Sequence, residues 1–265
     1  MTVIFKAKTK EGYSLKVLAE LLHYNIKTAC FEVDSKSIRL TMMDHRKTIL
    51  IDLELISDNF SIYSYKHHEK MYLGINLNHF HKMLKSVKKK DSVEFFIDDQ
   101  NINDLGITVM PRENDRVTTS FIKIQNIQNI QIQLPTGYDK PVIVPSGEFQ
   151  KMCKGLTHIS NVTRISCKGF LIRFASDAGG VMKRFTEFGE NDEENDKITY
   201  EEDFETEQLT RITKLSGLNG IMQIYPKINL PLMFKSQIGS LGKITIYLKS
   251  KNLQEEESRA KEDDD

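Results

Sequence analysis

Residues 77–87, LNHFHKMLKSV, decide the reading of this chain, together with the Lys88-Lys89-Lys90 run that follows. Leu77, Phe80, Met83, Leu84 and Val87 recur at helical spacing and form one apolar face. Asn78, Lys82, Lys85 and Lys89 recur at the same spacing on another face. A helix carried through Lys89 turns an apolar stripe inward and a lysine stripe outward. Ser92–Ile97 then alternates as a strand. The pattern returns at 146–156, SGEFQKMCKGL, with Phe149, Met152, Cys153 and Leu156 apolar. Lys151, Lys154 and His158 lie on its far side, and a strand-like run, Val162–Cys167, follows. Two copies of a basic amphipathic helix followed by a strand predict an internal duplication.

The flanking sequence extends both copies. Gly12–Leu22 reads as a helix with Leu15, Leu18, Leu21 and Leu22 on one face and Lys16, Glu20 and His23 on the other. A fourth short helix carries Leu209, Ile212 and Leu215, with Glu207, Arg211 and Lys214 outward. Ser146 is a candidate N-cap, with Glu148 in the first turn. Between the helices lie roughly sixteen to eighteen short alternating runs, among them TACFEVD, SIRLTMMD and KTILIDLEL between 28 and 55. The expected architecture is α+β, two similar domains of antiparallel sheet with two short helices each.

Composition bounds the function. The 265 residues suffice for two ordinary domains. The 37 basic and 37 acidic side chains cancel, which excludes a uniformly basic nucleic-acid coat but allows charges sorted onto separate surfaces. Three cysteines, Cys30, Cys153 and Cys167, without metal-type spacing predict a reducing, intracellular setting. Neither a signal peptide nor a membrane-length apolar run is evident, so no membrane partner is expected.

The joins are compositional. IQNIQNIQIQLP, 124–135, repeats isoleucine among amides and carries no charge. It reads as an extended connector, or else as a long edge strand. The expected division is 1–123, a connector at 124–138, a second domain at 139–251 and an acidic polar tail at 252–265. Glu187–Glu207 holds eleven carboxylates and one basic residue, Lys197, and predicts an exposed loop in part.

The search for chemistry returns little. There is no phosphate-cradling glycine loop, no nucleophile elbow and no helical histidine pair at metal spacing, so no catalytic residue, metal or cofactor is expected. Asp98, Asp99 and Asp104 form a weak metal-loop pattern, and His67-His68-Glu69 reads as a solvated turn. Basic residues at matching positions on three helices of an uncharged chain point instead to nucleic acid. No recognition-helix motif and no aromatic residue interleaved with the lysines is evident. The expected contact is with phosphates, independent of sequence and weakened by salt.

At this point TACFEVDSKSIRLTMMDHRKTILIDLEL, LGINLNHFHKMLKSV, VPSGEFQKMCKGLTHI and PLMFKSQIGSLGKITIYLKSK together resemble the proliferating cell nuclear antigen family of sliding clamps. The resemblance runs in order from about residue 3 to 251, with Pro145–Phe149 and Met43-Asp44 its more specific motifs. It implies the DNA-clamp fold, with three chains closing a ring around duplex DNA and helices lining the hole. The DNA-facing residues it implies are Lys16, His23, Lys82, Lys85, Lys151, Lys154, His158, Arg211 and Lys214, with Arg116 nearby. Glu207 stands where the family tends to be basic. Ring closure would pair the edge Arg116–Lys123, presenting Val117, Thr119, Phe121 and Lys123, with Val181–Phe188, presenting Val181, Lys183 and Phe185. Partner enzymes of the family dock a short helical plug with apolar and aromatic anchors. Here Met43, Thr48, Leu50, Ile132, Leu134, Pro135, Pro231, Tyr247 and Leu248 would receive it. Thr48 replaces the family's usual apolar residue, and Lys249-Ser250 replaces an Ala-Pro step. The family's modifiable lysine falls at Gly169, beside Lys168.

The function so implied is a polymerase processivity clamp, not an enzyme. Its partners would be double-stranded DNA, further copies of itself, and DNA polymerase, clamp loader, nuclease and ligase. It would work in the nucleus or at a viral replication site. The competing readings are a subunit of a heteromeric checkpoint-type clamp and a metal-dependent DNA enzyme using the three aspartates.

Overall fold

Apolar spacing settles into two units of sheet and helix. The computed structural model describes residues 2–112, 116–190 and 198–262. The first unit comprises the described residues of 1–42, 51–132 and 237–244, and the second those of 43–50, 133–236 and 245–265. Among the described residues there are seventeen strands and five α-helices.

In the first unit the order is β1 (Val3–Thr9), α1 (Gly12–Asn25), β2 (Thr28–Val33), β3 (Ser37–Met43), β4 (Ile49–Ile56), β5 (Ile62–Tyr65), β6 (Met71–Asn76), α2 (Leu77–Leu84), β7 (Ser92–Asp98), β8 (Asp104–Met110) and β9 (Thr118–Lys123). One sheet runs β5-β1-β7-β8-β9, with β9 at its edge; β4-β3-β2-β6 are neighbours in another. Helices α1 and α2 bury Leu15, Leu18, Leu21, Leu22, Leu77, Phe80 and Leu84. Phe80 meets Phe31 and Phe95 with ring centres 6.3 and 5.7 Å apart.

The second unit repeats the plan with β10 (Val142–Pro145), α3 (Ser146–Leu156), β11 (Val162–Lys168), β12 (Leu171–Asp177), β13 (Lys183–Phe188), β14 (Tyr200–Glu205), α4 (Thr206–Arg211), β15 (Ile221–Tyr225), β16 (Leu232–Ile238), β17 (Gly242–Leu248) and α5 (Lys251–Glu262). One sheet is ordered β13-β12-β11-β14, and β10-β15-β16-β17 are neighbours in the other. Phe149 on α3 is fully buried, its ring 5.8 Å from Phe174 and 5.7 Å from Phe234.

Several local expectations change. Helix α2 ends at Leu84, not Lys89. Asn76 caps its start by accepting from His79 N at 3.1 Å. At its end Val87 N bonds to Leu84 O at 3.0 Å. Asp91 then holds a tight turn, its carboxylate accepting from Lys88 N at 2.8 Å and its own N–H bonding to Lys88 O at 3.1 Å. Lys88–Lys90 therefore project from a turn rather than continuing the helical stripe. Ser146 is not the cap of α3 but its first residue; Pro145 stands at the cap, and Ser146 Oγ donates to Asn219 O.

The acidic stretch contains a strand. Tyr200 and Phe204 are buried, which fixes the register that sets Asp203 against Arg164. Residues 191–197 of that stretch lie outside the described ones. The connector is not an edge strand: between β9 and β10 a single bridge, Gly74 to Gln125, forms among the described residues. A Cβ at Gly74 would overlap the Gln125 carbonyl, so only glycine lets the connector approach β6 this closely. The polar tail is helical: Ser250 Oγ accepts from Leu253 N at 3.2 Å, and Lys249 pairs with Glu257 at 2.6 Å. The Lys249-Ser250 departure thus supplies a helix start.

The Phe149→Ala substitution should cost about 3–5 kcal/mol, because the surrounding aromatic cluster cannot close the cavity. A urea-denaturation midpoint unchanged from the parent would contradict this packing.

Candidate nucleic-acid interface

The apolar faces of α1 and α2 roll the two helices so that their basic residues share one outer side. Lys82 and Lys85 are exposed, and Lys16 and His23 are half-buried. Lys16 Nζ donates to Val87 O at 2.9 Å, which ties α1 to the turn after α2. The rings of His23 and His81 stack across the helix pair at 5.2 Å. Burial, followed by repulsion from His23, holds His81 below its ordinary pKa of 6.5; Glu20 opposes this, and Lys85 and Lys16 add to it. An aromatic residue does sit among the lysines, against expectation. The Tyr13 ring has Lys16 Nζ at 5.7 Å and Lys89 Nζ at 6.0 Å. Its distance in sequence from Lys89 hid the contact.

In the second unit α3 presents Lys151 and Lys154, both exposed, with His158 exposed in the turn beyond. Lys151 pairs with Glu148 at 2.7 Å, and Arg211 on α4 pairs with Glu207 at 2.6 Å. Lys214 follows in a short 3-10 turn, 213–217. An exposed ion pair such as Lys151–Glu148 is worth only about 0–1 kcal/mol, and both Lys151 and Arg211 carry a local counter-charge. Arg116 is not on a helix; it precedes β9, its Nε 3.4 Å from Thr118 Oγ1.

Among the described residues, no strand pairs with the outer side of either expected edge. β9 lies outermost beside β8, and β13 outermost beside β12. Phe121 and Phe185 are each 56% exposed and Val181 is 87% exposed. Val117, Thr119, Lys123 and Lys183 are exposed with them. Lys123 pairs with Asp104 at 3.3 Å and Lys183 with Asp177 at 3.1 Å. The Arg173 guanidinium lies 3.9 Å over the Phe185 ring.

The expected plug-binding residues divide by depth. Thr48, Leu50, Tyr247 and Leu248 are buried, while Met43, Pro135 and Pro231 are half-buried and Leu134 is 37% exposed. Ile132, at the end of the first unit, is half-buried. The Thr48 hydroxyl turns inward, donating to buried Asp44 at 3.3 Å. Tyr138, which the sequence reading passed over, donates to Pro231 O at 2.7 Å and meets the Tyr247 ring at 6.2 Å. An isolated tyrosine in an irregular segment carries no periodic signal.

The candidate metal loop is otherwise engaged. Asp98 accepts from Gln100 N and Asn101 N at 3.0 and 2.9 Å, Asp99 accepts from Thr2 N at 3.0 Å, and Asp104 holds Lys123. Among the described residues no metal-holding group of three ligands occurs. Burial raises the thiol pKa of all three cysteines, that of Cys167 to about 11, which leaves them poor nucleophiles.

Duplicated sheet-and-helix units with cationic helix faces and open sheet edges define a scaffold of the DNA-clamp class. Residues 4–132 match the N-terminal domain of proliferating cell nuclear antigen, and residues 133–251 match its C-terminal domain. The chain belongs to that family. A relative from Paramecium bursaria Chlorella virus 1, described as a probable DNA polymerase sliding clamp 1, is 27% identical over 256 residues, covering 93% of this chain and 96% of the relative. Helix α5 lies almost entirely beyond the matched residues.

The His23–His81 stack gives a pH prediction. The folded pKa of His81 lies below that of the unfolded chain, so between the two the unfolded chain binds more protons and stability rises with pH. In an NMR titration the His81 ring should titrate below 6.5, and His23→Ala should move its midpoint upward. A midpoint at or above 6.5 in the parent contradicts the assigned environment.

Proposed function

We propose that this chain is a DNA sliding clamp, a processivity factor that encircles duplex DNA and tethers replication enzymes to it. The family membership of both halves carries this reading, and the exposed cationic faces of the helix pairs support it. The ring is a homotrimer in which β9 of one protomer pairs with β13 of the next. The contact is head-to-tail and removes two open edges at each boundary. The helices face the hole, where Lys16, His23, Lys82, Lys85, Lys151, Lys154, His158, Arg211 and Lys214 meet phosphates, with Arg116 beside them.

The mechanism needs no chemical step, metal or cofactor. A closed ring retains DNA by topology, so each phosphate contact can be weak and exchange rapidly, which permits sliding. A polymerase held by the ring remains at high effective concentration near the primer end. Partner motifs with apolar and aromatic anchors dock around Met43, Leu134, Pro135 and Pro231, with Tyr138 as a further wall. Clamp loader, nuclease and ligase use the same surface in turn. The site of action is the nucleus or a viral replication site.

Retention on closed circular DNA with run-off from linear DNA tests encirclement. Equal loss from both forms overturns it. Lys82→Ala should reduce the salt slope of DNA association by about 0.9 for each phosphate contact removed. Lys151→Ala should do less, because Lys151 already pairs with Glu148.

A further inference from the structure

Where α1 and α2 lie side by side, two imidazoles meet. The His23 ring of α1 and the His81 ring of α2 stack with centres 5.2 Å apart and planes inclined by 22°. Both are half-buried, so each keeps part of its ring in solvent, and exposed Lys85 follows His81 one turn further along α2. Among the described residues neither ring is spent on a hydrogen bond or an ion pair. Stacked rings hold their nitrogen lone pairs in nearly parallel planes rather than aiming them at one point. Among the described residues no group of three metal ligands occurs either, so the pair is not built for a metal ion.

The charges around His81 come from each element packed on it. α1 contributes Lys16, Glu20 and His23, and α2 itself contributes Lys85. Tyr24 stands beyond, its ring 5.9 Å from that of His23 and its hydroxyl donating to Glu20 at 3.5 Å. β6 and β9 also pack against α2. β6 brings no charged side chain, and β9 brings Lys123, which Asp104 holds at 3.3 Å. Two ammonium groups, Lys16 and Lys85, are thus set against one carboxylate, Glu20. Burial first, and then repulsion from His23, Lys85 and Lys16, keeps His81 neutral to a lower pH than an ordinary imidazole. An anion placed among the same groups reverses the balance. Lys85 and Lys16 attract it, and its charge cancels the repulsion that withholds the proton.

We infer that His81 is a further DNA contact, one that engages a backbone phosphate only when its ring takes up a proton from solvent. His81 is not among the residues to which the family resemblance assigns DNA, and the inference rests on the clamp reading for the source of the phosphate. The balance is one proton gained for each phosphate seated, because His23 beside the ring disfavours a second charge. By reciprocity, the phosphate raises proton affinity at His81 by the same factor as the proton raises affinity for the phosphate. Bound His81 therefore keeps its proton to a higher pH than free His81. Between the two midpoints association weakens as pH rises. The helix face then holds DNA more firmly in mild acid and lets it slide more freely above that range.

Histidine-ring NMR of the full-length chain at low salt, with and without a short mixed-sequence duplex, tests the contact. Loss of one signal in His81→Gln identifies the ring. Duplex should move the His81 midpoint upward, and inorganic phosphate at equal phosphate concentration should move it much less. Duplex association, followed by fluorescence anisotropy, should strengthen about threefold or more from about pH 8 to about pH 6. His81→Gln should remove most of that dependence. His81→Lys carries its charge at every pH in this range and should bind at about pH 8 as the parent binds at about pH 6. His67→Gln, in the turn between β5 and β6, is the control and should keep the parent's dependence, with circular dichroism confirming that each variant folds. A stack that only packs α1 on α2 would cost stability in His81→Gln and leave the pH dependence as in the parent, which overturns the contact. A His81 midpoint that duplex leaves in place overturns it equally, as does one that inorganic phosphate moves just as far. Retention on circular DNA is a separate outcome. A chain lost from circles that still shows the upward shift with duplex keeps the contact and loses the clamp reading. A chain retained on circles without the shift keeps the clamp reading and loses the contact.

Discussion

The placement of the cationic helix faces depends on how each short helix is rolled about its axis. Phe80 and Leu84 on α2, and Phe149, Cys153 and Leu156 on α3, are buried against sheet. Burying one such side chain stabilises by about 1.5–3 kcal/mol, whereas an exposed lysine contact is worth at most about 1 kcal/mol. The apolar stripe therefore sets the roll, and the cations are carried to the opposite side as a consequence. The helices are also too short to be stable alone. Packing fixes the electrostatic surface, and the charges have little power to alter it.

That hierarchy suits a protein that must hold DNA without gripping it. The two helix pairs are not electrostatically equal. Lys82 and Lys85 stand on α2 without a carboxylate in their own turn, while Lys151 and Arg211 each sit beside a glutamate on the same helix. In the proposed ring, uneven charge still retains DNA, since retention would come from closure rather than from the sum of contacts.

The architecture was legible because its signals are periodic. Two amphipathic helices with matched apolar spacing announced the duplication, and alternating runs announced the sheets. What escaped were features made by single residues or by long-range approach. Asn76 caps α2 and Asp91 stops the turn after it, so the lysine stripe breaks where spacing alone would continue it. Tyr13 meets Lys89 only because α1 lies beside α2. Tyr138 finds Pro231 across 93 residues of sequence. Ser250 was legible in principle, as a serine before a polar helical stretch, but the acidic composition drew attention away from it. Gly169 is a different case: its φ of +55° makes glycine the fitting residue there, which accounts for the missing lysine in backbone terms.

The treatment of the sheet edges carries the last step. In the first unit the edge opposite β9 is β5, only four residues long. In the second, the edge opposite β13 is β14, which carries Glu201, Glu202, Asp203 and Glu205 and is touched by α5 through Asn252 and Glu202. Short length, charge and a covering helix are the usual means of making an edge unfit for pairing. β9 and β13 are each six residues long and each exposes a phenylalanine, although β13 also carries Lys183, Arg184 and Glu187 and β9 ends in Lys123. Had all four edges been left bare, the openness would say little beyond poor protection against aggregation. Unequal edges of this kind favour pairing in a head-to-tail sense, in keeping with the proposed ring. A contact of that kind, repeated, either closes into a ring or runs on as a filament.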